Sequence, residues 1–118
     1  MLGPGLLESV YKDCLLAEMR AQALVVRHEV RVPVSYKGLM IEKYLTIDLL
    51  VEDQVVVELK AVERLTAVHQ AQVVTYLKLS GCPAGLLINF NEVLLKTGIR
   101  RLDRPDLYAR KRLQTKDP

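Results

Sequence analysis

The chain has 118 residues, of which half are hydrophobic, and a net charge of +3. A chain of this length buries one hydrophobic core, so we expect a single compact domain. It lacks both the apolar run of about 18 residues that a membrane span requires and the basic-then-apolar start of a secretory signal, which favours a soluble, cytoplasmic protein. Cys14 and Cys82 have no metal-ligand spacing, and we interpret them as reduced packing residues.

The charge is distributed unevenly along the chain. Residues 96–116 contain eight basic and two acidic side chains, a local charge of +6, so the rest of the chain carries −3. We therefore divide the sequence into a domain at 1–104 and a basic C-terminal tail at 105–118. A basic segment suits a polyanionic partner such as nucleic acid, and a merely solvated tail is the alternative.

The first half of the chain predicts one helix and the start of a sheet. Apolar residues recur at three- and four-residue spacing from Leu6 to Ala23, the pattern of an amphipathic helix. Alternation from Val25 to Tyr36 then indicates a half-buried strand, and Lys37-Gly38 indicates a turn. A second strand through Ile41 to Val51 would continue the sheet.

The second half predicts a third strand, a crossover helix and a return to the sheet. Val55 to Lys60 begins with three β-branched valines and completes an antiparallel meander. A helical period follows Arg64 and ends at Gly81, and Ala84 to Phe90 is an apolar strand of the sheet interior, with a further extended segment over Val93 to Arg101. The fold class is therefore α/β: a single domain with a mixed central sheet, in the order helix, three-strand meander, helix, strand.

Three charged residues lie inside these apolar strands, where charges are costly without partners: Asp48, Glu58 and Lys60. Glu58 and Lys60 share a face of their strand because side chains alternate. A hairpin centred on Asp53 pairs Asp48 with Glu58, which places the two carboxylates about 5 Å apart.

Such a pair of carboxylates repels unless a cation lies between them, and Mg²⁺ or Mn²⁺ is the usual ion for oxygen ligands. Lys60 would then polarise an attacking water or stabilise a phosphorane-like transition state. Two structural alternatives remain open at this point, a buried ion-pair cluster and a hairpin with a solvated polar face.

Longer motifs point to a known family. Gly5, Glu8 and Tyr11 have the spacing of the opening signature of the GxxExxY family, which the sequence resembles. Later blocks of the chain are similar to that family in the same order: Tyr36-Lys37-Gly38, Ile47-Asp48-Leu49-Leu50-Val51-Glu52, Val57-Glu58-Leu59-Lys60-Ala61-Val62, His69-Gln70-Ala71-Gln72, Tyr76-Leu77-Lys78 and Gly85-Leu86-Leu87-Ile88-Asn89-Phe90.

The resemblance implies membership of the PD-(D/E)XK nuclease superfamily and its restriction-endonuclease-like core. It implies that Asp48, Glu58 and Lys60 are the metal-binding and catalytic triad. It also implies that Glu8 is an additional acidic residue of the metal site. Gln72 and Tyr76 resemble the QxxxY element of RecB-type nucleases, and their spacing places them on one helix face. A buried tyrosine with a hydrogen-bonded neighbour is the alternative for that pair.

Two features depart from the family. A further helical segment typically precedes the opening signature, whereas here Met1-Leu2 precedes it, and Asn91 stands where the family favours glycine. We interpret His28 and His69 as structural residues, His28 on the same strand face as Val26 and Val30. No zinc-ligand spacing, Ser-His-Asp arrangement or P-loop is present in the sequence.

The sequence thus predicts a metal-dependent nuclease that hydrolyses phosphodiester bonds in nucleic acid, with Mg²⁺ or Mn²⁺ as cofactor. The alternative is a non-catalytic module that retains the nuclease fold and binds nucleic acid or protein. We also expect that such a compact nuclease forms a homodimer to grip a duplex.

Overall fold

The computed structural model describes residues 4–91 and 98–105. The elements are named in chain order: α1 (Pro4–Ala21), β1 (Val26–Tyr36), β2 (Leu39–Val51), β3 (Val55–Lys60), α2 (Ala67–Ser80), β4 (Ala84–Asn89) and β5 (Ile99–Asp103). This order confirms the predicted α/β fold class. Residues 93–97 of the predicted last extended segment and residues 106–118 of the predicted basic tail lie outside the described residues.

The five strands form one mixed sheet in the order β1-β2-β3-β4-β5. β1, β2 and β3 pair antiparallel, as the predicted meander requires, and the Lys37-Gly38 turn is confirmed by positive φ at both residues. β4 pairs parallel to β3 because α2 carries the chain across one face between them. The central strand β3 therefore ends at the same edge of the sheet as β4.

Each face of the sheet is covered by one helix. On the first face α2 packs through Val73, Tyr76 and Leu77 against the residues Val32, Ile47, Leu50, Val56, Cys82 and Leu87. On the second face Leu16 of α1 packs against the residues Val26, Leu49, Val57, Leu59 and Ile88. The result is an α/β/α sandwich whose two apolar cores hold the strands of the sheet in fixed register. No helix within residues 4–91 and 98–105 has the length and apolar character needed to cross a membrane.

Both ends of α2 are fixed by local hydrogen bonds. The Nδ1 atom of His69 accepts the backbone N–H of Thr66, the N-cap residue, at 3.0 Å, so His69 has the structural role that we expected. Gly81 ends the helix in a left-handed conformation, φ 79°, and donates its N–H to the Leu77 carbonyl. Arg104 donates to the Gly81 carbonyl at 2.6 Å, so one cation of the basic C-terminal region stabilises this helix end.

The alternation of β1 breaks at Glu29, which has a φ of 52°. Val26 packs on the α1 side of the sheet, whereas Val30 packs on the α2 side. The prediction that His28 shares one face with both valines is therefore wrong, because the positive φ of Glu29 shifts the two-residue period between them. β2 shows the same shift, since Ile47 and Leu49 also pack on opposite sides of the sheet.

Candidate active site

The strands β2 and β3 separate where the predicted acidic pair lies. Their ladder pairs Val51 with Val55, Leu50 with Val56 and Leu49 with Val57, the register that the hairpin centred on Asp53 predicted. The next position on each strand is Asp48 and Glu58. There the carboxylates accept the backbone hydrogen bonds that a continued ladder would make.

The two carboxylates are held by a reciprocal pair of hydrogen bonds. Glu58 Oε1 accepts the backbone N–H of Asp48 at 3.0 Å, and Asp48 Oδ2 accepts the backbone N–H of Leu59 at 2.9 Å. Each side chain therefore has one oxygen fixed against the opposite strand. This arrangement confirms that Asp48 and Glu58 are cross-strand neighbours, and it orients both carboxylates before any ligand arrives.

Asp48 lies at the break in the alternation of β2, opposite Glu29 of β1. Ladder pairs flank this position on both sides, His28 with Leu49 and Val30 with Ile47. Because Ile47 and Leu49 point to opposite faces of the sheet, Asp48 lies between the two cores and belongs to neither of them. An irregularity of this kind redirects a side chain, and here it directs the carboxylate toward Glu58.

Glu58 is the most buried charged side chain of the described residues, with 3% of its surface exposed. Burial, followed by repulsion from the Asp48 carboxylate, raises the pKa of Glu58 from 4.5 to about 8. The backbone hydrogen bond from Asp48 and the ammonium group of Lys60 act in the opposite direction. A cation bound between these carboxylates would offset both the cost of burying a negative charge and the repulsion between the two carboxylates.

Lys60 follows Glu58 by two residues and lies on the same side of β3. The intervening Leu59 belongs to the α1-side core, so Glu58 and Lys60 project toward the α2 side, as alternation predicted. The Lys60 carbonyl accepts the backbone N–H of Phe90 at 2.8 Å, which ties the end of β3 to the end of β4. The ammonium group of Lys60 opposes the rise in the pKa of both Glu58 and Glu8, so its field reaches both carboxyls.

Glu8 approaches the same site from α1. It lines a cleft of about 120 Å³ together with Ser9, Lys12, Asp48 and Leu59. Burial, followed by repulsion from Asp48, raises the pKa of Glu8, and Lys60 and Lys12 lower it. The structure thus brings Glu8 to the rim of the site that Asp48 and Glu58 form.

Tyr11, the tyrosine of the opening signature, positions this part of α1. Its ring stacks on Phe90 with the centroids 4.3 Å apart and an angle of 6° between the planes. Glu8 and Tyr11 are three residues apart and share a helix face. The stack therefore anchors α1 to the end of β4 and holds Glu8 over the site.

Gln72 and Tyr76 lie together on one face of α2. Gln72 Nε2 donates to the Tyr76 hydroxyl at 3.0 Å, so the two side chains share a face, as their spacing predicted, and form the hydrogen-bonded pair that was the structural alternative. Burial, followed by the Glu58 carboxylate, raises the pKa of Tyr76. The tyrosine hydroxyl thus lies within the field of the acidic pair while its ring packs in the α2-side core.

Two neighbours of the site were not predicted from the sequence. Lys12 lines the cleft and forms an ion pair with Glu29, so it links α1 to the irregular position of β1. Its position four residues after Glu8 was the available signal, because this spacing places both side chains on one helix face.

Asn89 is the second residue that the sequence reasoning missed. It is fully buried, accepts the Val62 N–H at 3.0 Å through Oδ1 and donates to the Val62 carbonyl at 2.8 Å through Nδ2. The amide therefore fixes the backbone just after Lys60. A polar residue at the end of an apolar strand was the signal, and the same criterion had singled out Asp48 and Glu58.

The donor set fits a hard divalent cation that retains water ligands. Among residues 4–91 and 98–105 no group of three or more Asp, Glu, His or Cys side chains is arranged to hold a metal ion by itself. Mg²⁺ commonly binds through one or two carboxylates plus water and substrate phosphates. Asp48 and Glu58 supply such a pair, whereas the predicted third ligand, Glu8, lies at the rim.

Comparison with known families identifies the family to which the chain belongs. A family model described as the PD-(D/E)XK nuclease superfamily matches residues 1–102. The chain therefore belongs to the PD-(D/E)XK nuclease superfamily. Nucleases of this superfamily generally use divalent metal ions. The narrower resemblance to the GxxExxY family stays a prediction. A search of curated proteins found no significant match.

Solved structures share the fold at low sequence identity. The structure of SSO0001 superimposes with a TM-score of 0.66 at 17% identity, over 94% of this chain and 57% of that chain. The exonuclease LHK-Exo in complex with dAMP gives a TM-score of 0.57 at 14% identity, over 87% of this chain and 58% of the other. A second structure, of the alkaline exonuclease LHK-Exo from Laribacter hongkongensis, gives 0.50 at 13% identity, with 87% and 59% covered. This chain thus spans less than three fifths of each of those chains and has a nuclease-like fold.

Proposed function

We propose that this protein is a metal-dependent nuclease that hydrolyses phosphodiester bonds in nucleic acid. The observation that carries the proposal is the reciprocally hydrogen-bonded pair of Asp48 and Glu58 beside Lys60, where two strands separate. Glu58 is buried and Asp48 beside it is half-buried, and burial, followed by repulsion from Asp48, raises the pKa of Glu58 to about 8, an unfavourable arrangement without a cation. Membership of the superfamily supports the same assignment.

Asp48 and Glu58 would hold the divalent ion, Mg²⁺ or Mn²⁺, through the oxygens that do not accept backbone hydrogen bonds. Such an ion lowers the pKa of water and neutralises charge on phosphate oxygens. Glu8, across the cleft from Asp48, would act through an intervening water as an outer ligand. The backbone donors of Asp48 and Leu59 keep both carboxylates in position throughout.

Lys60 would act on the reacting phosphate and water. Its ammonium is near enough to stabilise both Glu58 and Glu8, so it lies where negative charge would build up during hydrolysis. A preorganised cation at that place lowers the energy of a phosphorane-like transition state. Gln72 and the Tyr76 hydroxyl would orient a water or a phosphate oxygen on the α2 side.

The basic C-terminal region supports a polyanionic substrate, although part of its charge has structural partners. Arg101 pairs with Asp103, and Arg104 bonds to the Gly81 carbonyl. The basic residues of the predicted tail at 105–118 would supply further phosphate contacts. Cytoplasmic location and a homodimer stay predictions, and light scattering on the purified chain tests the second.

The test is cleavage of labelled single-stranded DNA, duplex DNA, branched DNA and RNA with Mg²⁺, with Mn²⁺ or with EDTA. Wild type is compared with Asp48→Asn, which removes the charge and keeps the shape of the side chain. The proposal expects metal-dependent cleavage by wild type and none by the variant. Glu63→Gln, at an exposed carboxylate outside the site, is the matched control and keeps full activity.

A folded wild type that cleaves none of these substrates, and whose melting temperature does not change with either metal, would contradict the proposal. That result favours the alternative of a non-catalytic module that retains the fold and binds nucleic acid or protein. Cleavage that persists in Asp48→Asn would place the chemistry elsewhere in the chain.

A further inference from the structure

The hairpin of β1 and β2 extends past the candidate active site. β2 pairs with β3 only over its last three residues, whereas nine residues, Leu39–Ile47, precede Asp48 and lie beside β1 alone; seven of them pair with β1, and Glu42 and Lys43 fall at a register shift. At a rise of about 3.3 Å per residue, the Lys37-Gly38 turn lies roughly 30 Å along the strand from Asp48. Because β2 is antiparallel to β3, the hairpin projects from the edge of the sheet where β3 ends at Lys60.

The outer part of this ribbon, residues 33–44, is termed here the distal hairpin. Val34 is half-buried and every other residue of this range is exposed. The exposed set includes large apolar and aromatic side chains, which soluble proteins rarely concentrate without a partner. Their exposed fractions are 61% for Tyr36, 71% for Leu39, 69% for Met40 and 62% for Tyr44.

These side chains lie on both faces of the distal hairpin. Tyr36 pairs with Leu39 on the face that continues the α2 side, and Tyr44 pairs with Pro33 on the other face, together with Met40. Each face therefore presents one tyrosine with exposed aliphatic side chains, Leu39 and Ile41 on the first face and Met40 on the second. The exposed apolar and aromatic surface of the distal hairpin is therefore divided between its two faces.

Cations accompany both tyrosines. The Arg31 guanidinium lies 5.8 Å from the ring centre of Tyr44, and the Lys37 ammonium lies 5.4 Å from that of Tyr36. With Lys43, residues 31–44 carry three positive charges against the single carboxylate of Glu42. Aromatic rings interleaved with cations match the chemistry of unpaired nucleotides, whose bases stack and whose phosphates are negative.

We propose that the distal hairpin is a wedge that enters a nucleic acid where its two strands separate, with bases of one strand stacking on Tyr36 and bases of the other on Tyr44. The inference rests on the nuclease function proposed above and names its substrate, a junction between duplex and single strands. Leu39 and Met40, at the tip, unstack the terminal base pair as apolar wedges do. One separated strand is then directed along β2 toward Asp48.

The test measures binding without cleavage, by fluorescence anisotropy in EDTA. The probes are a forked duplex with two unpaired arms, a blunt duplex of the same sequence and a single strand. Wild type is expected to bind the fork at least about fivefold more tightly than the blunt duplex. Tyr36→Ala with Tyr44→Ala is expected to remove that preference, whereas Tyr36→Phe with Tyr44→Phe keeps the rings and keeps the preference.

A second pair of variants tests the cations. Lys37→Gln with Lys43→Gln is expected to weaken binding to all three probes and to reduce the dependence on salt concentration. Val68→Ala removes an equally exposed apolar side chain on α2, so it controls for a general loss of apolar surface. Circular dichroism melting confirms that each variant is folded before its affinity is compared.

Three results would overturn the wedge. The first is equal affinity of wild type for fork and blunt duplex. The second is unchanged fork binding by the alanine pair. The third is a change of oligomeric state: light scattering shows a dimer for wild type and a monomer for the alanine pair, and both bind the fork with the same affinity per protomer. The hairpin would then be a contact between copies of this chain.

Failure of the wedge and failure of the nuclease function are separable. Bis(para-nitrophenyl) phosphate is too small to reach from the active site to the distal hairpin. Metal-dependent hydrolysis of this compound by the alanine pair at the wild-type rate, with fork preference lost, supports both proposals. Fork binding that requires the tyrosines, in a protein that hydrolyses no phosphodiester, supports the wedge and contradicts the nuclease.

Discussion

Asp48 and Glu58 each accept a hydrogen bond from the backbone of the strand that carries the other. Glu58 Oε1 accepts the Asp48 N–H, and Asp48 Oδ2 accepts the Leu59 N–H. The two bonds replace the next step of the ladder after Leu49 and Val57. Strand separation and carboxylate orientation are therefore one structural event.

Lys60→Ala is expected to abolish cleavage without unfolding the domain. The side chain is half-buried at the end of β3, and removing a preorganised cation from a reacting centre typically costs about 100-fold or more in rate. Single-turnover cleavage measures the loss, and thermal melting measures the fold. Lys78→Ala, at an exposed lysine of α2, keeps the wild-type rate. A Lys60→Ala protein that still cleaves at that rate would remove Lys60 from the mechanism.

Divalent metal is expected to raise the melting temperature of wild type. Binding to the folded state alone stabilises it by about 2.7 kcal/mol when the ligand is at 100 times its Kd. Glu58→Gln and Asp48→Asn each remove one of the two carboxylates that would hold the ion, so both variants lose most of this shift. Differential scanning fluorimetry with and without Mg²⁺ or Mn²⁺ is the measurement. Equal shifts in wild type and both variants would place the metal elsewhere.

Stability without metal is expected to fall as the pH rises from about 5 to about 8. Burial, followed by repulsion from Asp48, raises the pKa of Glu58 from 4.5 to about 8, so the folded state keeps a proton that the unfolded chain loses. Glu8 contributes in the same direction because its pKa is also raised. Melting curves in EDTA measure the slope, and Glu58→Gln flattens it. A wild-type stability that rises across this interval would contradict the raised pKa of Glu58.

Asn89→Leu is expected to destabilise the domain by about 1–3 kcal/mol, because the N–H and carbonyl of Val62 lose their buried partner. Displacement of the backbone after Lys60 also lowers the cleavage rate. Urea unfolding and single-turnover cleavage measure the two effects. Asn91→Gly is the matched control: only the backbone N–H of Asn91 bonds to Asn89, so its stability stays close to that of wild type. Wild-type stability in Asn89→Leu would show that the amide is dispensable.

Gly85→Ala is expected to destabilise the domain by about 1–3 kcal/mol through overpacking. A Cβ at this position of β4 would lie 2.8 Å from Val73 Cγ1, 3.2 Å from the Val56 carbonyl oxygen and 3.3 Å from Leu77 Cδ2. The clash of the added Cβ pushes α2 away from the sheet. Tyr76 then moves away from the acidic pair, and the cleavage rate falls as well. Urea unfolding is the measurement, and a stability equal to that of wild type would show that α2 shifts without cost.

Much of the fold followed from local pattern. The apolar run of β3, the Lys37-Gly38 turn and the Gly81 helix end were predicted because each depends on the conformational preferences of a few adjacent residues. The hairpin centred on Asp53 also placed Asp48 opposite Glu58, since register in a tight hairpin is set by the turn. His28 was assigned to the wrong face because the positive φ of Glu29 has no signal in a two-residue alternation.

The sequence by itself determined the chemical types available at the site, two carboxylates and an ammonium at fixed positions on adjacent strands, and the order of the elements that carry them. Only the tertiary structure decided which residues from distant parts of the chain join them. Glu8 reaches the cleft because Tyr11 stacks on Phe90, and the Tyr76 hydroxyl lies within the field of Glu58 because α2 packs against β4. These contacts depend on how helices pack across a sheet, and packing is a property of the whole core rather than of any short segment.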